Sequence, residues 1–511
     1  MQLYKIWPFF EGLNMAVKVE FIQNARGIKT CSADGIKLHS AYNPEVEAER
    51  FVQSIECPFF PEYILVTGPA LSYCLPYLKK RFPQAKICAV RYCHDFDSDN
   101  NKFSKVFYSK DKNLCESLFN FMGEEGLAAA LFLSWQPSEK AFPDEYKSSW
   151  GEIKKAVLKS RDILATREYF SQRWVKNCLR FCLFANETAF IKEGTSPILI
   201  CASGPSLKTS LPKIKELRES FFLIAVSSAL SPLLEFGIKP DLCISTDGGY
   251  WAKRHLSFCG GNIKIPTAIS AESAIYAKQM EETPVIPLSY GDGICQTFLE
   301  RFSFKSLRAK RNGTVSGTAA ELALSLTSSS VFFCGLDLAP SKGFSHTQPN
   351  NLEKDGSYAD TRMRTKESRL TPSSFDSPAL CIYRDWFASQ DFGGRLYRLS
   401  AGYPYSNSLG KIRDVDWNFF EDFAKKIRGH SLLPQISVSK FEMKKEDRLT
   451  LIEEILTKES HSPEWIKEAL PSLYITASRS GKDFMSQEIE EKMDKFIENV
   501  KRAALPGGKK Q

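Results

Sequence analysis

Between Ile198 and Ala339 six short apolar runs follow one another: "ILICAS", "FLIAVSS", "DLCISTD", "IPTAIS", "VIPLSY" and "VFFCGLDLA". Most are bounded by Gly, Pro or Asp, and helical segments such as "LPKIKELRES", "SALSPLLEFG" and "SGTAAELALSLT" separate several of them. Short strands alternating with helices specify an α/β fold with a doubly wound parallel sheet. A smaller unit of the same kind stands earlier. "YILVT", "LPYLKKRF" and "KICAVRY" read as strand, helix and strand, so Tyr63 to Tyr92 is expected to form one right-handed βαβ unit.

At 511 residues the chain is too long for one core. Three regions are expected: an N-terminal α/β domain over 1–160, a central domain over 161–420 and a helical domain over 421–511. Helical patterns dominate from Asn113 to about Phe184, and "PEVEAERFVQSI" reads as an amphipathic helix with Pro44 near its start. The polar stretch 341–377 is expected as a lid or surface insertion, and "RLYRLSAGYPYSNSLGKIRDVDW" as a strand returning to the sheet.

Composition narrows the class. The net charge of +8 is small for this length and no long basic run is present, which argues against a dedicated nucleic-acid protein and leaves a modest preference for anions. The 14 cysteines lie in core-like segments without a CxxC pair or a His/Cys cluster, so reduced thiols in a cytoplasmic protein are expected, with no metal centre. The first residues lack the basic and apolar regions of a signal peptide. The most apolar stretch, Phe221 to Ile238, is interrupted by a Ser pair, Pro232 and Glu235, so no membrane span is expected.

Two corners share a pattern: "VTGPALSYCLP" from Val66 and "CASGPSLKTSLP" from Cys201 both place Gly-Pro between strand and helix. A strand that stops at glycine and enters a helix leaves backbone N–H groups free, and these with the helix dipole suit a phosphate or carboxylate. Gly204 permits close approach, Pro205 fixes the turn, Ser206 adds a hydroxyl and Ser210 is a candidate cap. The first copy has Ala70 where the second has Ser206. A plain sharp turn is the alternative for either copy.

Four motifs in order, "GPSL", "IAVSSALSPLLEFGIKPDLCISTD", "SGTAAELALSLTSSSVFFCGLDLA" and "RLSAG", resemble the Maf family of motility-associated flagellin glycosyltransferases. That family shares its central domain with the 6-hydroxymethylpterin diphosphokinases. The resemblance spans about 171–415, including the "RWVKNCLRF" helix. It implies a Rossmann-like central sheet similar to that of bacterial sialyltransferases, a degenerate nucleotide-binding-like unit before it and a helical domain after it. It also implies a cytoplasmic bacterial enzyme that moves a nonulosonic, sialic-acid-like sugar from a CMP donor to Ser or Thr of flagellin, without a metal cofactor.

By that resemblance Gly204, Pro205 and Ser206 face the donor nucleotide. Ser227 and Ser228 lie at a strand end where such sheets bind ligands, at a point where an Asn often stands in the sialyltransferases. Asp247 is a candidate for a ribose hydroxyl or Mg²⁺, against an Asx turn. Glu272 ends another strand, and Ser316, Gly317 and Thr318 open a second helix, with Ser316 as its expected N-cap. Asp337 and His346 are the candidate bases for the acceptor hydroxyl. Lys253, Arg254 and His255 are either counter-charges for the donor or an exposed helix face. Two rival functions remain: a pterin diphosphokinase using ATP and Mg²⁺, and a non-catalytic flagellin-binding chaperone.

Overall fold

The computed structural model describes residues 17–257, 263–338, 343–370, 378–399, 408–427, 431–481 and 486–505. The chain forms two compact units, one of Met1–Tyr169 with Ala469–Lys492 and one of Phe170–Glu468 with Met493–Gln511.

In the first unit a parallel sheet runs in the order Lys105–Tyr108, Lys86–Arg91, Tyr63–Thr67, Ala130–Ser134. Tyr63 pairs with Lys86, so the βαβ unit expected over Tyr63 to Tyr92 is formed. An antiparallel sheet of Val19–Gln23, Lys29–Ala33 and Ile36–Lys37 precedes it. Helix Pro44–Gln53 starts as its sequence requires, with Pro44 in the first turn and the Asn43 side chain accepting from the Val46 N–H at 3.1 Å. The strand Ala130–Ser134 lies inside the region read as helical. Its "ALFLS" is too short to show a period, and its pairing with Tyr63–Thr67 decides its conformation.

The second unit is built on an 11-stranded sheet. Its main path runs Arg413–Val415, Leu396–Leu399, Val331–Cys334, Ile198–Cys201, Phe222–Val226, Leu242–Ser245, Thr267–Ser270, Val285–Ser289, Glu187–Lys192, Gln435–Lys440. Pairing is parallel except at the Gln435–Lys440 edge. Strands after Ile198–Cys201 are added on one side as far as Val285–Ser289, and Val331–Cys334 then begins the other side. The order therefore reverses between Ile198–Cys201 and Val331–Cys334, and ligands of open α/β sheets bind beyond the carboxyl ends of strands at such a point.

Helices cover both faces. Successive strand residues point to opposite sides. Phe332 meets Phe420 of helix Trp417–Ile427, while Phe333 meets Phe387 of helix Pro378–Ser389. All four residues of Ile198–Cys201 are buried. Full burial of each large apolar side chain in this core is worth roughly 1.5–3 kcal/mol. The return expected from "RLYRLSAGYPYSNSLGKIRDVDW" gives two strands, Leu396–Leu399 and Arg413–Val415. Residues Ser400 to Gly402 of the "RLSAG" motif lie outside the described residues, as do 341–342 and 371–377 of the expected lid. Within the rest of that stretch the chain forms helix Asn351–Ser357 and one short 3-10 turn.

The part after 421 does not form a body of its own. Gln435–Lys440 enters the central sheet, and the helices that follow are divided between the two units. Its sequence shows charged helices but not their partners. One partner is the end of the long helix Pro143–Phe184, where the buried Arg448 donates to the carbonyls of Leu183 at 3.1 Å and Ala185 at 2.9 Å. Helix C-termini leave carbonyls without intrahelical donors, and Arg448 supplies them. Among the described residues no helix is long and apolar enough to cross a membrane, and the cysteines are free.

Candidate functional site

The carboxyl end of the central sheet gathers most of the residues singled out in the sequence. At the reversal point the Ile198–Cys201 strand runs through Ser203 and Gly204 into helix Leu207–Glu216. The Gly204 N–H donates to the Gly335 carbonyl at 2.8 Å, and the Ser206 N–H donates to the Asp337 carboxylate at 2.8 Å. The Ser206 hydroxyl donates to the other Asp337 oxygen. The amides expected to cradle a donor phosphate are thus taken by the chain itself, that of Gly204 by a backbone carbonyl and that of Ser206 by a carboxylate. Asp337 is 4% exposed, and burial pushes its carboxyl above the usual range despite the Ser206 bonds and the charge of Arg398.

Three expectations change here. Gly204, Pro205 and Ser206 form a latch between two strand ends, with Asp337 standing where a phosphate was expected. Asp337 is held by Ser206 rather than poised at an open surface. Ser210 lies inside the helix, its hydroxyl reaching the Ser206 carbonyl at 3.5 Å, so it is not the cap. Gly204 is required by this contact, since a Cβ there would stand 2.5 Å from both the Asp337 carboxylate and the Gly335 carbonyl.

The latch also holds the segment after Asp337. The Thr347 N–H donates to the Ser203 carbonyl at 2.8 Å, and its hydroxyl to the Gly204 carbonyl at 2.6 Å. Ser228 donates to the Ser203 hydroxyl oxygen at 2.8 Å, and Asn350 reaches the Ser228 carbonyl at 3.4 Å. Ser227 and Ser228 form a one-turn 3-10 helix at their strand end. These contacts set His346 beside His255, with ring centroids 6.2 Å apart. Burial and then the neighbouring His346 bring His255 down to about 4, and burial lowers His346 as well. Both imidazoles are therefore favoured in the neutral form, the one able to accept a proton.

The first Gly-Pro corner is closed by different side chains. The Leu71 N–H donates to His39 Nε2 at 3.1 Å, while Arg91, 1% exposed, donates to the Ala70 carbonyl at 2.5 Å and the Ser72 hydroxyl at 3.1 Å.

The model of the family "6-hydroxymethylpterin diphosphokinase MptE-like" matches residues 173–343, which include every candidate above from Gly204 to Asp337. An uncharacterized protein of Treponema pallidum (strain Nichols) is 31% identical over 322 residues, 62% of this chain and 70% of that protein. The chain and the treponemal protein belong to one family. The Maf glycosyltransferase of Magnetospirillum magneticum AMB-1 superposes with a TM-score of 0.54 at 12% identity, over 95% of this chain and 91% of that one. The fold of this family member is thus the Maf fold around an MptE-like domain, in agreement with the resemblance carried by its motifs.

The other candidates in this domain divide. Asp247 is exposed and accepts from the Gly249 N–H at 2.7 Å, which is the Asx-turn alternative. Glu272 is buried and held by Arg311 through two bonds of 2.6 and 2.8 Å, while Arg311 lies over the Tyr290 ring and is pushed up by Glu272 despite burial. Gly317 packs against Trp386, and Thr318 donates to the Lys310 carbonyl at 3.3 Å. Thr314, not Ser316, is the N-cap, because the helix begins at Val315 and places Ser316 in its first turn. Arg254 is paired with Asp355 at 2.7 Å and His255 is buried beside His346, so of the "KRH" triplet Lys253 is the cation that, among the described residues, has no acidic partner.

The sequence names the "RWVKNCLRF" helix before the domain without assigning its residues a role. Trp174 packs against Gly248, where a Cβ would stand 2.8 Å from the indole, and the Asn177 amide donates to the carbonyls of Gly248 at 3.3 Å and Glu272 at 2.8 Å. One helix thus fixes two strand-end loops. The signal was available in "RWVKNCLRF", whose basic residues at positions 173, 176 and 180 fall on one helical face beside Asn177.

Proposed function

We propose that this Maf-type protein is a glycosyltransferase that moves a nonulosonic sugar from a CMP-activated donor to serine or threonine of flagellin. The observation that carries the reading is the Maf fold, aligned over 95% of the chain, with its reversal point and paired imidazoles at the carboxyl end of the central sheet. Transfer to a hydroxyl needs a group to accept the acceptor proton. A neutral imidazole does this, and His346 is the more accessible of the pair. The latch of Ser206 and Asp337 positions the segment that bears it. No metal ion or cofactor enters this proposal, and the location is the bacterial cytoplasm, where flagellin is met before export.

The test is incubation with a CMP-nonulosonate and flagellin, followed by intact-mass measurement of flagellin and assay of released CMP. A mass increase equal to one or more sugars is expected. Absence of both mass increase and CMP release would overturn the proposal. The MptE-like match favours a second reading, diphosphate transfer to a pterin. Magnesium-dependent formation of AMP from ATP in the presence of 6-hydroxymethylpterin would establish that alternative.

A further inference from the structure

The end of the long helix presents Arg173, Lys176 and Arg180, and about 100° of rotation per residue places all three within a stripe of about 60°. The adjoining face is fixed: Trp174 lies against Gly248, and Asn177 bonds the carbonyls of Gly248 and Glu272 just beyond two strand ends. Gly248 leads into helix Tyr250–His255, which carries Lys253. The stripe therefore borders the same sheet end as the reversal point. Lys253 lies over the rings of Tyr250 and Tyr276 at 4.6 and 4.8 Å, and Arg173 and Arg180 lie over Phe170 and Phe184.

Among the described residues none of these cations forms an ion pair, although the neighbouring Arg254, Arg311 and Arg448 are all fully engaged. Lys176 is half-buried, and its ammonium is pushed below the usual range by burial and then by Arg180, Arg173 and Lys253. Holding like charges together in partly dry surroundings is unfavourable unless an anion joins them. Tyr250 and Trp251 stand next to this group, 55% and 59% exposed, and offer aromatic faces to a flat ring.

We infer that Arg173, Lys176, Arg180 and Lys253 bind the acidic groups of a nucleotide-linked donor, its phosphate together with a sugar carboxylate, in place of the closed Gly-Pro corner. The inference rests on the reading of the sheet end as a donor site and names the feature that selects an acidic donor. Two anionic groups match a cluster of four cations, whereas a neutral nucleoside leaves them uncompensated.

Calorimetric titration of the full chain with CMP, cytidine and inorganic pyrophosphate, at low and high salt, tests this. The proteins are wild type, K176Q/R180Q and the control K305Q, which removes an exposed lysine away from the stripe, each checked by its melting curve. CMP should bind at least about tenfold more tightly than cytidine, with affinity falling as salt rises. K176Q/R180Q should lose that advantage, while K305Q should keep it. If K176Q/R180Q binds CMP as wild type does, the inference is overturned and the nucleotide reading survives. Pyrophosphate binding that depends on the stripe, without CMP binding, would keep the anion site and remove the CMP donor. Binding of neither anion would overturn the inference.

Discussion

Replacing Asp337 tests the latch directly. In D337A the Ser206 N–H and hydroxyl, both bonded to the carboxylate in a buried setting, lose their acceptor. Each unpaired buried donor costs roughly 1–3 kcal/mol. Removing a carboxylate whose burial disfavours its charge returns part of this, so the net loss is expected at about 2–4 kcal/mol. For a compact body of about 300 residues, each kcal/mol shifts the melting temperature by roughly 1.6 °C, giving a fall of about 3–6 °C. D337N keeps an acceptor for the Ser206 N–H and is expected within about 1 kcal/mol of wild type. Because the folded pKa of Asp337 lies above its ordinary 3.8, its contribution to stability is complete below that value and declines as pH rises through the folded value. The asparagine variant lacks that decline, so wild type should lose ground against D337N from about pH 4 upward. Thermal melts of the three proteins across pH 4–8 provide the measurement. D337N as unstable as D337A would refute the latch, whereas a wild-type advantage that grows with pH would refute the upward shift of the Asp337 carboxyl by burial. D337N with native melting but no sugar transfer would instead place Asp337 in the chemistry.

Other substitutions probe neighbouring contacts. Gly204→Ala drives a Cβ into the Asp337 carboxylate and the Gly335 carbonyl and should cost about 1–3 kcal/mol in urea unfolding, with loss of turnover; a wild-type midpoint would argue against the close approach. G248A places a methyl 2.9 Å from the Glu272 carbonyl and 2.8 Å from Trp174, and should both destabilise by a similar amount and quench or shift tryptophan emission. His255 stays neutral in the fold down to about 4, so stability is complete above the ordinary 6.5 and falls as pH drops toward 4. In H255Q this acid loss, at most about 3 kcal/mol for wild type, should flatten; an unchanged pH profile of the melting temperature would refute the assignment.

Strand–helix alternation from Ile198 to Ala339 was sufficient to determine the parallel sheet, because each short apolar run bounded by Gly, Pro or Asp admits few other conformations. The Maf-type motifs and the first βαβ unit were legible for the same reason: they are local, and their residues are consecutive. Tertiary structure alone decided what the Gly-Pro corners do. A free amide and an amide bonded to Asp337 have the same sequence around Gly204, and the carboxylate arrives from more than a hundred residues away because the strand order reverses there. The same holds for Gln435–Lys440, whose place at the sheet edge depends on Glu187–Lys192, and for the cationic stripe, whose meaning depends on which acids the fold leaves elsewhere. Local backbone preference is written residue by residue, whereas the partner of a buried polar group is chosen only when distant segments meet.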